Sequence, residues 1–337
     1  TQRSDTRTLE DERVLVQVTP DTHSSSGLLC IDCHTAQEVM GDGALHARQS
    51  EQLRVACSDC HPHSRPLTVA ASEIDGGSMR IMRLRKLGGA SQRVLATASG
   101  DVLVNAYVDA DGAARLVRKR DGAVLNLAPA RPQCRDAAHA RVSCIGCHTA
   151  WAPRCPTCHT RFDPDARGLD LLDDKDVQGE WVESSGPFTA VPPTLGMRRI
   201  GTPGAGREAV EPFVPGMTAT FDGSKAPGGA PDPVFRRWYA RAFSHTVSKQ
   251  GRGCVSCHND PVALGYGEGK LEFVARGPGR GRWRFTPAYT PGPDGLPADA
   301  WIAFLRTREH DVSTRDDVRP LSVDEQRRVL AVGACLT

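Results

Sequence analysis

Apolar residues in this chain come in short bursts rather than long stripes. Arg13-Val14-Leu15-Val16-Gln17-Val18 has the character of a brief strand. A denser series follows, in which 79–84, 93–98, 102–108, 114–118 and 124–127 each read as a strand. Ser99-Gly100-Asp101, Asp109-Ala110-Asp111-Gly112 and Asp121-Gly122 supply turns between them. The pattern predicts a β-meander. Trp181-Val182-Glu183 and Thr218–Phe221 are further short strands in a stretch broken by Gly and Pro. Helical signals come late. Asp232–Phe243 has Asp232 as a cap and Pro233 at its first position. Pro297–Thr307 places Trp301, Phe304 and Leu305 on one face. Ser322-Val-Asp-Glu325 is a capping box, and the helix it opens is expected to end at Gly333. The expected fold class is α+β with low regular secondary structure, in which short helices and inserted β-strand segments surround a loop-rich core. No apolar run approaches the ~20 residues of a membrane helix.

Cysteine punctuates this pattern. Cys30-Ile-Asp-Cys33-His34, Cys57-Ser-Asp-Cys60-His61, Cys144-Ile-Gly-Cys147-His148, Cys155-Pro-Thr-Cys158-His159 and Cys254-Val-Ser-Cys257-His258 share one form. Cys-x-x-Cys-His is the attachment run of a c-type haem. The two thiols form thioethers with the haem vinyl groups, and the histidine is the proximal iron ligand. Zinc is the rival reading, and Cys30/Cys33 with Cys57/Cys60 have the content of one zinc site. Zinc, however, has no need of a histidine after each second cysteine, and all five pairs have one. A disulfide framework meets the same objection. Only six residues separate His148 from Cys155, which makes the third and fourth haems expected neighbours.

The motifs divide the chain: a two-haem segment at 1–65, the meander at 66–131, the tightly spaced pair at 132–165, a Gly/Pro-rich β and loop segment at 166–231, and a helical haem segment at 232–337. Eleven histidines less the five proximal ones leave six: His23, His46, His63, His139, His245 and His310. Each is a candidate distal ligand. Met40, Met79, Met82, Met197 and Met217 are the rival ligands, discounted because the histidines suffice. Only Cys134 and Cys335 lie outside the five motifs. Two readings stand for them: Cys335 begins a sixth haem site that continues past Thr337, or the two form a disulfide.

Composition agrees with this picture. With 33 Gly and 24 Pro, loops are favoured over long elements, and with 5% aromatic residues the haems are expected to supply much of the flat apolar bulk. The formal charge of +2 offers no basic face for nucleic acid. Five haems with ionised propionates would take it to roughly −3 oxidised and −8 reduced. The chain opens on polar Thr1-Gln2-Arg3-Ser4-Asp5. Because haem is attached to such motifs outside the cytoplasm, the expectation is an exported chain, periplasmic or extracellular, with its signal peptide removed.

The five motifs and the isolated histidines resemble the multihaem c-type cytochromes, including bis-histidine electron carriers and filament-forming ones. The resemblance implies five haem c groups, with a sixth if Cys335 starts another site. It implies electron transfer along closely packed bis-histidine haems and no bond chemistry. The expected partners are redox proteins or extracellular acceptors, with self-assembly into a homo-oligomer or filament as a further expectation. The alternative is a multihaem oxidoreductase acting on a small inorganic substrate at one iron with an open axial position.

Overall fold

The computed structural model describes residues 6–87, 92–154, 157–185, 189–201, 206–242, 245–277, 280–307 and 316–337. The chain forms two compact units, Pro20–Ala140 and a second made of Thr1–Thr19 with Arg141–Thr337. Helices and several small sheets occur together, an α+β chain. No helix of the described residues is long and apolar enough to cross a membrane.

The Pro20–Ala140 unit is built on the expected meander. Thr68–Val69, Arg93–Ala96, Val102–Val108, Ala114–Val117 and Val124–Asn126 pair antiparallel in chain order. Val102 and Val104 pack with Ile74, Met82 and Val94 on one side, where the helix Gly76–Leu84 lies. This corrects the strand expected over Met79–Leu84. Asp75 caps the helix by accepting from the Ser78 amide at 2.9 Å, and Met79 and Met82, one turn apart, reach the core. The spacing of three decides the structure, and the local alternation of Met79 and Ile81 does not. A second cluster of Leu95, Leu103 and Ala106 gathers Val55, Cys60, Val108 and Leu127. The meander thus serves as a scaffold against which the second Cys-x-x-Cys-His motif is packed, through Cys60.

In the other unit, Thr194–Ile200 lies between Arg207–Phe213 and Val318–Arg319 in a three-stranded sheet. Its core gathers the few aromatics the chain has. Tyr239 stacks on Trp301 with ring centroids 3.9 Å apart, and Phe213 lies 4.7 Å from Trp301. Gly196 permits this packing, since a Cβ there would lie 2.2 Å from the Trp301 ring. Met197 is buried in the same cluster, as Met82 is in the other unit. Thr157–Asp170, Lys175–Ser185, Met217–Asp222 and Val234–Trp238 form a four-stranded sheet, and Gly269–Gly277 pairs with Arg280–Pro287 as a separate hairpin.

Two expected helices are corrected. Over Asp232–Phe243 the structure has the strand Val234–Trp238, paired with Met217–Asp222; Phe243 is outside the described residues. The strand sets Arg237 inward, where it bonds Asp294 at 2.8 and 2.9 Å and the carbonyls of Ala298 and Ala300. Over Pro297–Thr307 the chain makes turns. The Trp301 and Ile302 amides both donate to the Gly265 carbonyl, at 2.7 and 2.9 Å, which fixes the indole in the core. The third expected helix is present as Val323–Gly333, with Ser322 accepting from the Glu325 amide and Glu325 accepting from the Ser322 amide.

That helix is anchored by charge. Arg319 bonds Glu208 at 2.6 and 2.7 Å and Glu325 at 2.7 and 3.1 Å, while Arg141 reaches the same two carboxylates. Burial alone would raise the Glu325 pKa, but Arg319 and the Ser322 amide outweigh it and hold the carboxyl at about 2, against 4.5 for the free side chain. A folded pKa below the unfolded one means the contribution is complete above pH 4.5 and lost as pH falls from there towards 2. Glu325→Gln should lower stability near neutral pH by about 2 kcal/mol and flatten that acid limb; urea melts at several pH values check this.

Candidate haem sites

Four of the five motifs form one turn of helix. Cys30–Cys33, Cys57–Cys60 and Cys144–His148 are helical throughout, and Val255–His258 is helical with Cys254 as its cap. A helical turn brings residues three apart to one face, so both thiols of a motif are presented together. The intervening residues stabilise the turn. Asp32 and Asp59 accept from the amides of Leu29 and Ala56, both at 2.8 Å, and Ser143 accepts from Gly146 at 3.0 Å.

Each of these four motifs also fixes its histidine. His61 Nδ1 is 2.7 Å from the Ala128 carbonyl, His148 Nδ1 is 3.0 Å from Ser248, and His258 Nδ1 is 2.8 Å from Val329. A carbonyl only accepts, so Nδ1 carries the proton and the ring's lone pair sits on Nε2. His34 Nδ1 lies 3.2 Å from the Glu38 carboxylate, with the same result. This is the outer-shell arrangement that orients a metal-ligating histidine.

The scaffolds differ. Buried Glu38 accepts from the amides of Thr35, Arg54 and Val55 as well as holding His34, and these bonds outweigh its burial to keep its pKa low. Lys119 donates its amide to Asp32 at 2.6 Å, tying the first motif to the meander. Residues 245–252 wrap the third motif: Ser248 and Arg252 donate their amides to the carbonyls of His148 and Cys147, each at 2.8 Å. The Arg252 side chain reaches the Ser256 carbonyl at 3.2 Å, which links the third motif to the fifth. The fifth rests on the last helix. A Cβ on Gly333 would lie 2.5 Å from the His258 carbonyl, so only glycine allows this approach.

Two of the thiols are shaped by burial. Burial first, then Cys33 and Asp59, push the Cys60 thiol up to about 12. Burial likewise raises Cys257, with Cys147 adding to the effect and Arg252 opposing it. Surroundings of this kind favour uncharged sulfur. Among the described residues no three His, Cys, Asp or Glu side chains converge as a metal site requires.

The fourth motif is different. Cys155 lies outside the described residues, and Cys158 and His159 belong to the strand Thr157–Asp170. Successive strand residues face opposite ways, so these two side chains do not address one haem in this conformation. The residues present fit a covalent haem at the first, second, third and fifth motifs.

The distal candidates also separate. His23 sits in a turn capped by Asp21, its Nδ1 3.3 Å from that carboxylate and its ring 6.2 Å from that of His61. His46 has Nε2 against both Asp42 oxygens, at 3.0 and 3.1 Å. His63 is exposed, and His139 is exposed with Nδ1 3.9 Å from Asp136. His245 opens the loop around the third motif. His310 is outside the described residues. Cys134 and Cys335 are both exposed. The sequence reading did not single out Glu38, whose signal was the Thr35-x-x-Glu38 capping box. It also missed the accepting carbonyls, which leave no sequence signal.

No protein-family model, curated protein or solved structure matches this chain.

Removing Glu38 leaves the amides of Arg54 and Val55 without their acceptor. Glu38→Ala should therefore destabilise the chain by about 3 kcal/mol, and Glu38→Gln, which keeps a carbonyl oxygen, by less. Chemical denaturation of both variants beside the parent gives the comparison.

Proposed function

We propose that this chain is a multihaem c-type cytochrome, exported from the cytoplasm, that carries electrons along closely placed bis-histidine haems. One observation carries the reading. Four histidines that each follow a Cys-x-x-Cys pair have Nδ1 held by an acceptor, which leaves Nε2 as the ligating atom. A disulfide framework has no use for that repeated arrangement, and zinc does not require a histidine directly after every cysteine pair.

When bound, haem iron supplies one-electron chemistry. The residues do the rest. The paired thiols would hold the haem covalently, and the imidazoles would ligate its iron through Nε2. The scaffold keeps each ring from turning. Exposed apolar side chains near the first two motifs, among them Leu29, Ile31, Val39, Leu53 and Leu67, suit contact with a porphyrin. The His23 ring, 6.2 Å from that of His61, groups the first site with the second, and Arg252, bonding both the Cys147 and Ser256 carbonyls, groups the third with the fifth.

Intact-mass measurement on the denatured, purified chain tests the reading. It should show at least four covalently held haems, and a fifth if the Thr157–Asp170 strand gives way to a turn at its start. The mass of the bare polypeptide would overturn it. The distal ligands can be tested separately. His23→Ala should produce a high-spin iron signal in electron paramagnetic resonance, because its Nε2 is free to ligate beside His61. His46→Ala should leave the spectrum low-spin, because Asp42 already holds that nitrogen.

A further inference from the structure

The long hairpin Thr157–Asp170/Lys175–Ser185 outruns its sheet. The neighbouring strand Met217–Asp222 pairs with it only as far as Asp222 opposite Arg161. Beyond that point the two strands continue, pairing Asp163 with Glu180 and Asp170 with Lys175, with no third strand among the described residues. An isolated two-stranded ribbon is marginal in water. This one ends in Leu171 and Leu172, 84% and 97% exposed. From Asp163 to Glu180 it carries seven acidic residues against Arg167 and Lys175. Asp165, Asp170, Asp174, Asp176 and Glu180 have no cationic partner among the described residues.

The same unit displays the opposite charge on another hairpin. In Gly269–Gly277/Arg280–Pro287, Trp283 and Phe285 turn inward onto the core. Arg280, Arg282 and Arg284 alternate with them and are exposed, and Arg276 sits near the turn. None of the four has a carboxylate partner among the described residues. Trp283 donates to the Leu330 carbonyl at 3.0 Å, which fixes this ribbon to the helix that orients His258.

We propose that the acidic ribbon of one copy docks on the arginine ribbon of a second copy. Each chain carries both elements, and no ion pair joins them within the chain among the described residues. That is why a second copy is the occupant favoured over a foreign acidic protein. The contact is heterologous, with different surfaces on the two sides, so it generates a ring or an open chain of subunits. It requires neither haem nor a shared histidine.

Light scattering on the full chain at about 0.05 M and about 0.5 M salt tests the proposal. The parent should assemble at low salt and dissociate to monomer at high salt. Arg280→Ser/Arg282→Ser/Arg284→Ser should stay monomeric, as should Asp170→Lys/Asp174→Lys/Asp176→Lys, each with the parent's circular dichroism. Mixing the two variants should give only one-to-one pairs, since one intact ribbon of each kind remains. The mixture supplies the readout even if one triple variant is less stable. A parent that is monomeric at low salt would overturn the proposal. So would an arginine variant that assembles like the parent, or binding of polyglutamate through the arginines without self-association.

Discussion

The hydrogen bond from imidazole Nδ1 to a fixed acceptor is the interaction on which the candidate sites depend. An imidazole after a cysteine pair is a flexible side chain with two nearly equivalent nitrogens. A single carbonyl or carboxylate on the Nδ1 side chooses the tautomer, sets the ring plane and leaves the lone pair on Nε2. Much of the remaining architecture brings those acceptors into place. Ala128 follows the last strand of the meander, Ser248 lies in the wrapping loop, and Val329 lies in the final helix.

This explains why the ion-pair network around Arg319 matters to a site it does not touch. Glu208 and Glu325 secure the final helix to the three-stranded sheet, and Val329 follows Glu325 by about one turn. A shift of that helix would move the His258 acceptor with it. The meander has the same relation to the first two motifs, through the Lys119 amide on Asp32 and the packing of Cys60. The meander is thus a jig for these two motifs.

How much of this was legible in the chain depended on where each signal lay. The motifs were plain because covalent chemistry demands fixed residue types at fixed spacing. The meander was legible because turn residues such as Asp111-Gly112 bracket its strands, and the last helix because Ser322 and Glu325 form a local box. Asp232-Pro233 also looked like a helix start, yet the next residues pair with a strand and bury Arg237 against Asp294. That partner lies 57 residues away, and no local pattern announces it. Backbone acceptors are harder still, because every residue carries a carbonyl and only the fold selects one.

The distances along the chain from each histidine to its acceptor set an order of assembly. His34 finds Glu38 four residues on, His61 must wait 67 residues for Ala128, and His258 must wait 71 for Val329. His148 waits longest, 100 residues, for Ser248. A chain that folds from its N-terminus can therefore complete its first imidazole clamp almost at once. The third stays loose until the middle of the Arg141–Thr337 segment has arrived, and the fifth until its last helix has formed.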